Sequence, residues 1–300
     1  MSHPSGGRLA ELTRTAVVRV AALTGRVDPA TTDSAALASL LDRAGGCVPD
    51  GRLDPRWARH VVTAAERTAG SGLTGHTRST ARHWHSWTAT DADPTTLVHK
   101  IYVSPAVRDI ATTLGVILTH APLLGVPAWK VGADLAGLHR PDKIVLYLAS
   151  AERADRVALA LALTLGGSAA QGVPFTGQVG ATGIVSRGRD VAGTSWRADV
   201  CRLVADSLWA TRVTLGPQAR AAEVADEALA RLAGRGLDVE TWHPARDATL
   251  ESRSAATSSA GSLSATSTTR QRDGTPSATG AVGPTPTAAL RRPRAEVTCS

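Results

Sequence analysis

The spacing of the apolar residues changes near residue 95, and this change limits the folds that the chain can adopt. Before it, apolar residues recur every three or four positions, the period of an amphipathic helix. Examples are Leu9, Leu12, Ala16, Val20 and Leu23. After it, residues 97–103 alternate with the period of a strand, and residues 144–149 form an apolar run of strand length. The sequence therefore predicts an α+β fold, in which a helical N-terminal part precedes a mixed or antiparallel sheet with flanking helices.

The last fifty residues have a different composition. In residues 251–300, 35 of the 50 are Ser, Thr, Ala, Gly or Pro, and none is Ile, Phe, Tyr or Trp. Such a segment cannot bury enough apolar surface to offset the entropy lost on ordering. We expect a helical region over residues 1–92, an α+β domain over 93–250 and a disordered tail over 251–300.

Charge and hydropathy exclude several classes of protein. The formal charge is +7, but the tail has six arginines and three acidic residues, which leaves +4 on residues 1–250 and makes a nucleic acid an unlikely partner. No run approaches the roughly 18 apolar residues of a membrane-spanning helix, and the first apolar stretch is too charged for a secretory signal. Cys47, Cys201 and Cys299 are far apart. These features predict a cytoplasmic protein without disulfides or a membrane partner.

Familiar catalytic and metal-binding motifs are absent. The sequence lacks GxSxG, a Walker loop, HExxH and GxGxxG after a strand. His76, His83 and His85 form the one histidine cluster, but no carboxylate or thiol stands near them at ligand spacing before Asp91. We expect an ordinary polar loop here, and neither a metal nor an organic cofactor.

Lysine is rare in this chain, and its positions are informative. Of 33 basic residues only Lys100, Lys130 and Lys143 are lysine, and lysine can give up a proton whereas arginine cannot. The period of two places Lys100 and Tyr102 on one face of a strand. In the extended segment 127–132, Lys130 would point away from the buried face. The alternative for Lys100 and Tyr102 is that both face solvent on an edge strand.

Two arginines are candidates for binding an anion. Arg140 precedes the apolar strand at 144–149, where it faces a ligand, the neighbouring Asp142 or solvent. Arg197 follows Thr194 and Ser195, either of which is a candidate helix N-cap, and the first turn of a helix favours anions. Lys143, beside Asp142, has a structural explanation.

Together these residues suit the elimination of phosphate from phosphoserine or phosphothreonine. The reaction removes a weakly acidic Cα proton, supports an enolate-like charge and neutralises a departing dianion. Arginine binds phosphate with two parallel hydrogen bonds. A lysine can act as the base when burial and neighbouring cations lower its pKa, and no cofactor is needed.

Several short segments resemble one known family. They are Lys100-Ile-Tyr-Val, Trp129-Lys-Val, Arg140-Pro-Asp-Lys-Ile-Val-Leu-Tyr, Gly172-Val-Pro-Phe-Thr and Ser195-Trp-Arg. They resemble the HopA-type effector family, whose members look like distant relatives of bacterial phosphothreonine lyases. HopA-like proteins also occur in actinobacteria as the lyase component of class V lanthipeptide synthesis, beside a separate kinase.

The resemblance implies roles for individual residues. Lys130 corresponds to the catalytic base, Lys100 to the charge-stabilising lysine, and Arg140 and Arg197 to the phosphate ligands. The chain departs from the family pattern at Tyr102, where phosphothreonine lyases have the histidine that acts as general acid.

Three residues are therefore candidates for the acid, namely Tyr102, His99 and His139. The function implied is that of a lyase that eliminates phosphate from a phosphorylated ribosomal precursor peptide, with a separate Ser/Thr kinase as a partner and residues 1–92 binding the peptide or the kinase. The alternative is a non-catalytic HopA-like module that binds a phosphopeptide or the kinase.

Overall fold

The computed structural model describes residues 7–26, 33–46, 55–81, 83–190 and 194–244. All of these residues belong to one compact unit. Residues 245–300 lie outside the described residues. The predicted tail at 251–300 therefore falls outside the part of the chain that the structure describes.

Eight α-helices and nine strands lie in the described residues. The helices are α1 (Arg8–Thr24), α2 (Ser34–Arg43), α3 (Pro55–Ala69), α4 (Ile110–Leu123), α5 (Leu135–His139), α6 (Ala151–Thr164), α7 (Trp196–Leu215) and α8 (Ala221–Gly234). The strands are β1 (His76–Ala81), β2 (Trp84–Ala89), β3 (His99–Val103), β4 (Ala128–Gly132), β5 (Ile144–Leu148), β6 (Gly177–Val179), β7 (Val185–Arg189), β8 (Leu237–Asp238) and β9 (His243–Pro244). Among these helices, none has both the length and the apolar character needed to cross a bilayer.

Seven of the strands form a single sheet in the order β1-β2-β4-β5-β3-β7-β6. Every neighbouring pair in it is antiparallel. The short strands β8 and β9 pair separately. The predicted α+β class, with an antiparallel sheet and flanking helices, is confirmed.

One face of the sheet is apolar and forms the main core. Ile101, Trp129 and Leu146 are fully buried and contact residues of α3, α4 and α6. The rings of Trp87 and Trp129 stack with their centroids 6.2 Å apart. Burial of each large apolar side chain contributes about 1.5–3 kcal/mol to folding. Because side chains alternate along a strand, the residues between these point to the opposite face, where the lysines lie.

Two helices that carry residues to this second face, α2 and α5, begin at side-chain caps. Asp33 accepts a hydrogen bond from the Ala36 amide at 2.9 Å and so caps α2. Asp134 accepts one from the Gly137 amide at 2.6 Å and caps α5. Helix α5 ends immediately before Arg140, so the position of this helix also fixes the position of the Arg140 backbone.

Helix α7 begins against the lysine face of the sheet. A Cβ atom added to Gly188 would lie within 3.2 Å of both the Trp196 ring and Tyr102, so the glycine allows this close approach. Helix α7 also contacts α1, α2 and α8. These contacts place Arg197, in the first turn of α7, beside the C-terminal end of α2.

Four strands were missing from the sequence prediction. Strands β1 and β2 lie within residues 1–92, which were predicted to be helical, and around the histidine cluster, which was expected to be a polar loop. Both predictions are wrong for these two strands. Strand β1 is an edge strand that is exposed over most of its length, and it carries no apolar alternation for the sequence to show. Strands β6 and β7 lie in the glycine-rich stretch 172–193, where no strand was predicted.

We predict that the contact between β4 and α5 depends on Gly132. A Cβ atom on Gly132 would lie 2.7 Å from the Gly137 carbonyl oxygen, so Gly132→Ala forces backbone atoms apart. We expect Gly132→Ala to lower the free energy of unfolding by about 1–3 kcal/mol, measured by urea unfolding followed by tryptophan fluorescence.

Gly115, in α4, is the matched control. A Cβ atom on Gly115 meets nothing within 4 Å, and alanine is the better helix former, so Gly115→Ala should raise stability by up to about 1 kcal/mol. Equal effects of the two substitutions would contradict the role assigned to Gly132.

Candidate active site

Antiparallel pairing brings Lys100, Lys130 and two tyrosines to the same face of the sheet. Lys100 pairs across the strands with Tyr147, while Tyr102 and Lys130 both pair with Val145 from opposite sides. The Tyr147 ring lies between the lysines, with its centroid 5.4 Å from Lys100 Nζ and 5.8 Å from Lys130 Nζ. The structure thus brings Lys100 and Lys130 to one face of the sheet.

Lys100 forms an ion pair with a carboxylate. Its Nζ lies 2.6 Å from Asp190 Oδ2, and the lysine itself is buried. The other oxygen of Asp190 accepts the Trp196 amide hydrogen at 2.8 Å. Asp190 therefore orients Lys100 and satisfies an amide at the start of α7, where Ser195 makes no side-chain cap.

Lys130 packs against aromatic rings instead. Its Nζ lies 4.3 Å from the centroid of a Trp84 ring, and among the described residues it forms no ion pair with a carboxylate. Burial lowers the pKa of Lys130, and the positive charges of Lys100 and Arg140 lower it further. Of these two lysines, Lys130 is thus the better suited to give up its proton.

Arg140 contacts two carboxylates. Its Nε and Nη2 donate to the two oxygens of Asp142 at 2.8 and 3.1 Å, which is the bidentate geometry of a strong pair. Nη2 also lies 3.3 Å from Asp42 Oδ2. Its Cζ is 5.8 Å from a Trp84 ring centroid. Asp142, which the sequence offered as an alternative partner of Arg140, is thus one of the two carboxylates that bind this arginine.

Arg197 is almost completely buried and contacts the same two carboxylates. Its side chain is 2% exposed, and Nη1 lies 3.0 Å from Asp42 Oδ1 and 3.6 Å from Asp142 Oδ2. Nη2 donates to the Asp42 main-chain carbonyl. Burial lowers the pKa of Arg197, but Asp142 and Asp42 outweigh this and raise it. The guanidinium groups of Arg140 and Arg197 are therefore brought together by shared carboxylates.

Asp142 remains ionised despite its burial. Burial raises the pKa of Asp142, but Arg197 and Arg140 together hold it below its ordinary value. We call Lys100, Lys130, Arg140 and Arg197 the cationic cluster. Asp42, Asp142 and Asp190 are its carboxylates.

Tyr102 lies on the face of the cationic cluster but is buried. The residue is 2% exposed, and its hydroxyl has no hydrogen-bond partner among the described residues. Burial raises the pKa of Tyr102 well above its ordinary value, although Arg197 opposes the shift. Burial also raises the pKa of Tyr147, which is only partly buried. At neutral pH both phenols keep their protons and can donate hydrogen bonds.

The other two candidates for the acid lie in different surroundings. His99 has the same parity as Ile101 and Val103, so it points to the apolar side of the sheet. Burial and the charge of Arg189 lower the pKa of His99. The ring of His139 is buried, and its Nδ1 lies 2.7 Å from the Leu135 carbonyl oxygen. Among the three, Tyr102 shares the face of the lysines.

Three contributors to the site were not anticipated from the sequence. Trp84 lies in the stretch that was expected to be a polar loop, although a tryptophan, a serine and a threonine at every second position from 84 to 88 could have indicated a strand. Asp42 ends an amphipathic helix, and Asp190 follows β7. Neither carboxylate carries a local sequence signal.

The histidine cluster does not form a metal site in the structure. The His76 ring packs on Trp129 with the centroids 4.7 Å apart, and His83 Nδ1 lies 2.5 Å from Asp134 Oδ2. His85 Nδ1 instead lies 2.8 Å from the Thr80 hydroxyl. In the part of the chain that the structure describes, no three His, Cys, Asp or Glu side chains converge as metal ligands.

Lys143 takes no part in the cationic cluster. Its side chain is fully buried, and Nζ donates to the Pro105 carbonyl at 2.8 Å and to the side-chain carbonyl of Gln171. Burial lowers the pKa of Lys143 to about 7, although the charge of Asp142 opposes the shift. These contacts join β5 to two neighbouring loops, in keeping with the structural explanation.

Comparison with known proteins identifies no family model that matches the chain, and no curated protein is significantly similar to it in sequence. The chain is similar to the solved structure of an effector protein from Pseudomonas syringae pv. syringae strain 61, with 14% identity over 78% of this chain and 98% of that chain and a TM-score of 0.45. An effector protein from Pseudomonas syringae pv. tomato strain DC3000 has 8% identity over 78% and 97%, with a TM-score of 0.47. The type III effector/phosphothreonine lyase OspF from Shigella flexneri has 10% identity over 58% and 87%, with a TM-score of 0.36.

The small number of lysines makes their ionisation directly measurable. Protein labelled with ¹³C at the lysine Cε should give three signals in an NMR pH titration. We expect Lys143 to titrate with a midpoint of about 7 and Lys130 to titrate below 10.5, because burial disfavours both ammonium ions.

The variants Lys143→Met and Lys130→Arg assign two signals by removing them. A Lys143 or Lys130 midpoint at or above the ordinary lysine value would show that the side chain is solvated, and would contradict the geometry of its site.

Proposed function

We propose that this protein is a cofactor-independent lyase that eliminates phosphate from phosphoserine or phosphothreonine of a ribosomal precursor peptide. The product would be a dehydroamino acid, the precursor of the thioether rings of a lanthipeptide. One observation carries the proposal. Lys130, which has no carboxylate partner in the part of the chain that the structure describes, lies on the same sheet face as Lys100 and beside two arginines that share their carboxylates.

In this reaction each member of the cationic cluster has a defined task. The neutral Nζ of Lys130 takes the Cα proton, and the electrons of that bond form the Cα–Cβ double bond. The Cβ–O bond breaks, and its electron pair leaves with the phosphate. The ammonium group of Lys100 stabilises negative charge on the carbonyl oxygen next to Cα. Arg140 and Arg197 bind the phosphate while it departs.

The surroundings of the two lysines support this division of labour. Lys100 forms an ion pair with Asp190, with Nζ 2.6 Å from Oδ2. Lys130 faces the rings of Trp84 and Tyr147, and its pKa is lowered by burial and neighbouring cations. A base must be neutral before it accepts a proton, whereas an electrostatic stabiliser must be charged. Lys130 therefore suits the role of base.

Tyr102 is the preferred hydrogen-bond donor to the departing group. It is the one acid candidate on the lysine face, and its hydroxyl is buried without a partner among the described residues. An unpaired buried hydroxyl is costly unless a ligand or a water satisfies it. Since the raised pKa of Tyr102 makes full proton transfer unfavourable, the arginines would carry most of the phosphate charge.

The biological setting of the proposal rests on the sequence resemblance. It comprises a cytoplasmic protein, a phosphorylated precursor peptide as substrate and a separate Ser/Thr kinase that supplies it. Residues 1–92 would bind the peptide leader or the kinase. Neither a membrane nor a nucleic acid is needed.

A second candidate function is a non-catalytic module that binds a phosphopeptide or the kinase. The observation that favours it is Tyr102, a buried phenol with a raised pKa in the position of the acid histidine. Such a module would keep the arginine pair and bind phosphate without breaking the Cβ–O bond.

The decisive assay incubates the purified protein with a precursor peptide phosphorylated at serine or threonine and weighs the peptide. We expect the peptide to lose the elements of phosphoric acid and inorganic phosphate to appear, because elimination breaks the Cβ–O bond and removes the Cα proton. A phosphatase would instead leave the hydroxyl on the peptide. Tight binding with an unchanged peptide mass would select the binding module and reject the lyase.

Substitution of Lys130 tests the assignment of the base. Lys130→Arg keeps the positive charge but cannot supply a neutral amine, so kcat should fall by about 100-fold or more. In the wild type, the neutral form of Lys130 exists above its pKa, so kcat should rise with pH above 7 and level off below the ordinary lysine value, since that pKa is lowered.

Wild-type rates in Lys130→Arg would remove Lys130 from the base role.

Arg197→Gln should weaken phosphopeptide binding. The matched control is Arg220→Gln, which removes an exposed arginine paired with Glu223 and should leave phosphopeptide binding unchanged.

A further inference from the structure

Asp42 occupies the place between the two arginines that a phosphate would need. One of its oxygens lies 3.0 Å from Arg197 Nη1 and the other lies 3.3 Å from Arg140 Nη2. Two oxygens on one centre thus bridge two guanidinium groups, as two oxygens of a bound phosphate do. We infer that Asp42 is a specificity-determining residue whose carboxylate holds the phosphate position and restricts the site to dianionic phosphate monoesters. The inference rests on the proposed role of Arg140 and Arg197 as phosphate ligands.

Exposure indicates which carboxylate yields to an incoming anion. The Arg197 side chain is only 2% exposed. A ligand can therefore reach Arg197 Nη1 only after one of the two carboxylates that contact this atom, Asp42 or Asp142, moves away. Asp142 is 13% exposed and is bound bidentately by Arg140. Asp42 is 33% exposed and makes single contacts with each arginine. Asp42 is therefore the partner that leaves, and Asp142 stays as the permanent counterion.

The Asp42 side chain can leave without displacing helix α2. Arg197 Nη2 donates to the main-chain carbonyl of Asp42, and that hydrogen bond does not depend on the carboxylate. Leu37 and Leu41 are buried on the same helix, so α2 keeps its packing. Rotation of one side chain then exchanges an internal anion for an external one.

This exchange discriminates between anions by charge. A sulfate ester carries one negative charge, the same as the carboxylate that it would replace, and Asp42 has the advantage of being attached to the protein. A phosphate monoester above its second pKa, near 6, carries two charges and three acceptor oxygens. Only the dianion interacts with the arginines more strongly than Asp42 does.

The experiment measures the binding of phenyl phosphate and phenyl sulfate to the full-length protein by titration calorimetry at pH 8 and low salt. Neither compound can undergo elimination, so binding is measured apart from catalysis. We expect the wild type to bind phenyl phosphate at least about tenfold more tightly than phenyl sulfate. Asp42→Asn should bind both compounds more tightly than the wild type, with the larger gain for phenyl sulfate.

Asp226→Asn is the matched control, because Asp226 also pairs with an arginine, Arg14, but on the exposed surface of α8. It should bind both compounds like the wild type. If Asp42→Asn does not fold, as shown by the loss of cooperative thermal unfolding, the wild type alone provides the test. Equal affinity of the wild type for phenyl phosphate and phenyl sulfate would overturn the inference.

The remaining outcomes separate this inference from the proposed function. If the wild type prefers phenyl phosphate and Asp42→Asn binds neither compound better, Asp42 is a structural counterion and the inference falls, while the phosphate site stands. If neither compound binds to either protein, the arginines hold no anion and both proposals fall. If the expected pattern is found but the peptide mass never changes in the elimination assay, only the lyase is rejected.

Discussion

The burial of Arg197 is the constraint on which the site depends. A guanidinium removed from water costs several kcal/mol unless carboxylates and carbonyls surround it. Here the compensation comes from Asp42 at the end of α2, from Asp142 just before β5 and from the main-chain carbonyl of Pro174 at 3.4 Å. Three segments that are distant in the sequence are thereby held at one point. Arg140 joins them because it shares both carboxylates.

The sheet places a second kind of cation beside this pair. Lys100 and Lys130 come from β3 and β4, which flank β5 and present side chains to the same face. Their surroundings differ, because Lys100 pairs with Asp190 whereas Lys130 faces aromatic rings and has a lowered pKa. Two identical residue types thus lie in different environments, as the proposed base and electrostatic stabiliser require.

Much of the sheet could be predicted where burial imposed a pattern. Strands β3, β4 and β5 each turn an apolar face to the main core, so their alternation or apolar character is visible in the sequence, and it indicates the face on which Lys100, Tyr102 and Lys130 lie. Strands β1 and β6 lie at the two edges. Strand β1 is exposed over most of its length and β6 has only three residues, so no apolar period marks them, and β2 with Trp84 was missed along with its edge partner. The carboxylates of the site were missed for a related reason, since an aspartate at a helix end looks the same whether it faces solvent or an arginine.

The sequence by itself determined the α+β class, the faces of the central strands and the identity of the two lysines and two arginines, because strand and helix periods are local properties of the chain. Only the tertiary structure decided that Arg140 and Arg197 share Asp42 and Asp142, that Asp190 pairs with Lys100, and that Tyr102 is buried without a partner among the described residues. Charges that are far apart in the sequence, such as Asp42 and Arg197, meet through the packing of α2 and α7 and the strand order of the sheet. No local pattern encodes those contacts, and the pKa of each group follows from them.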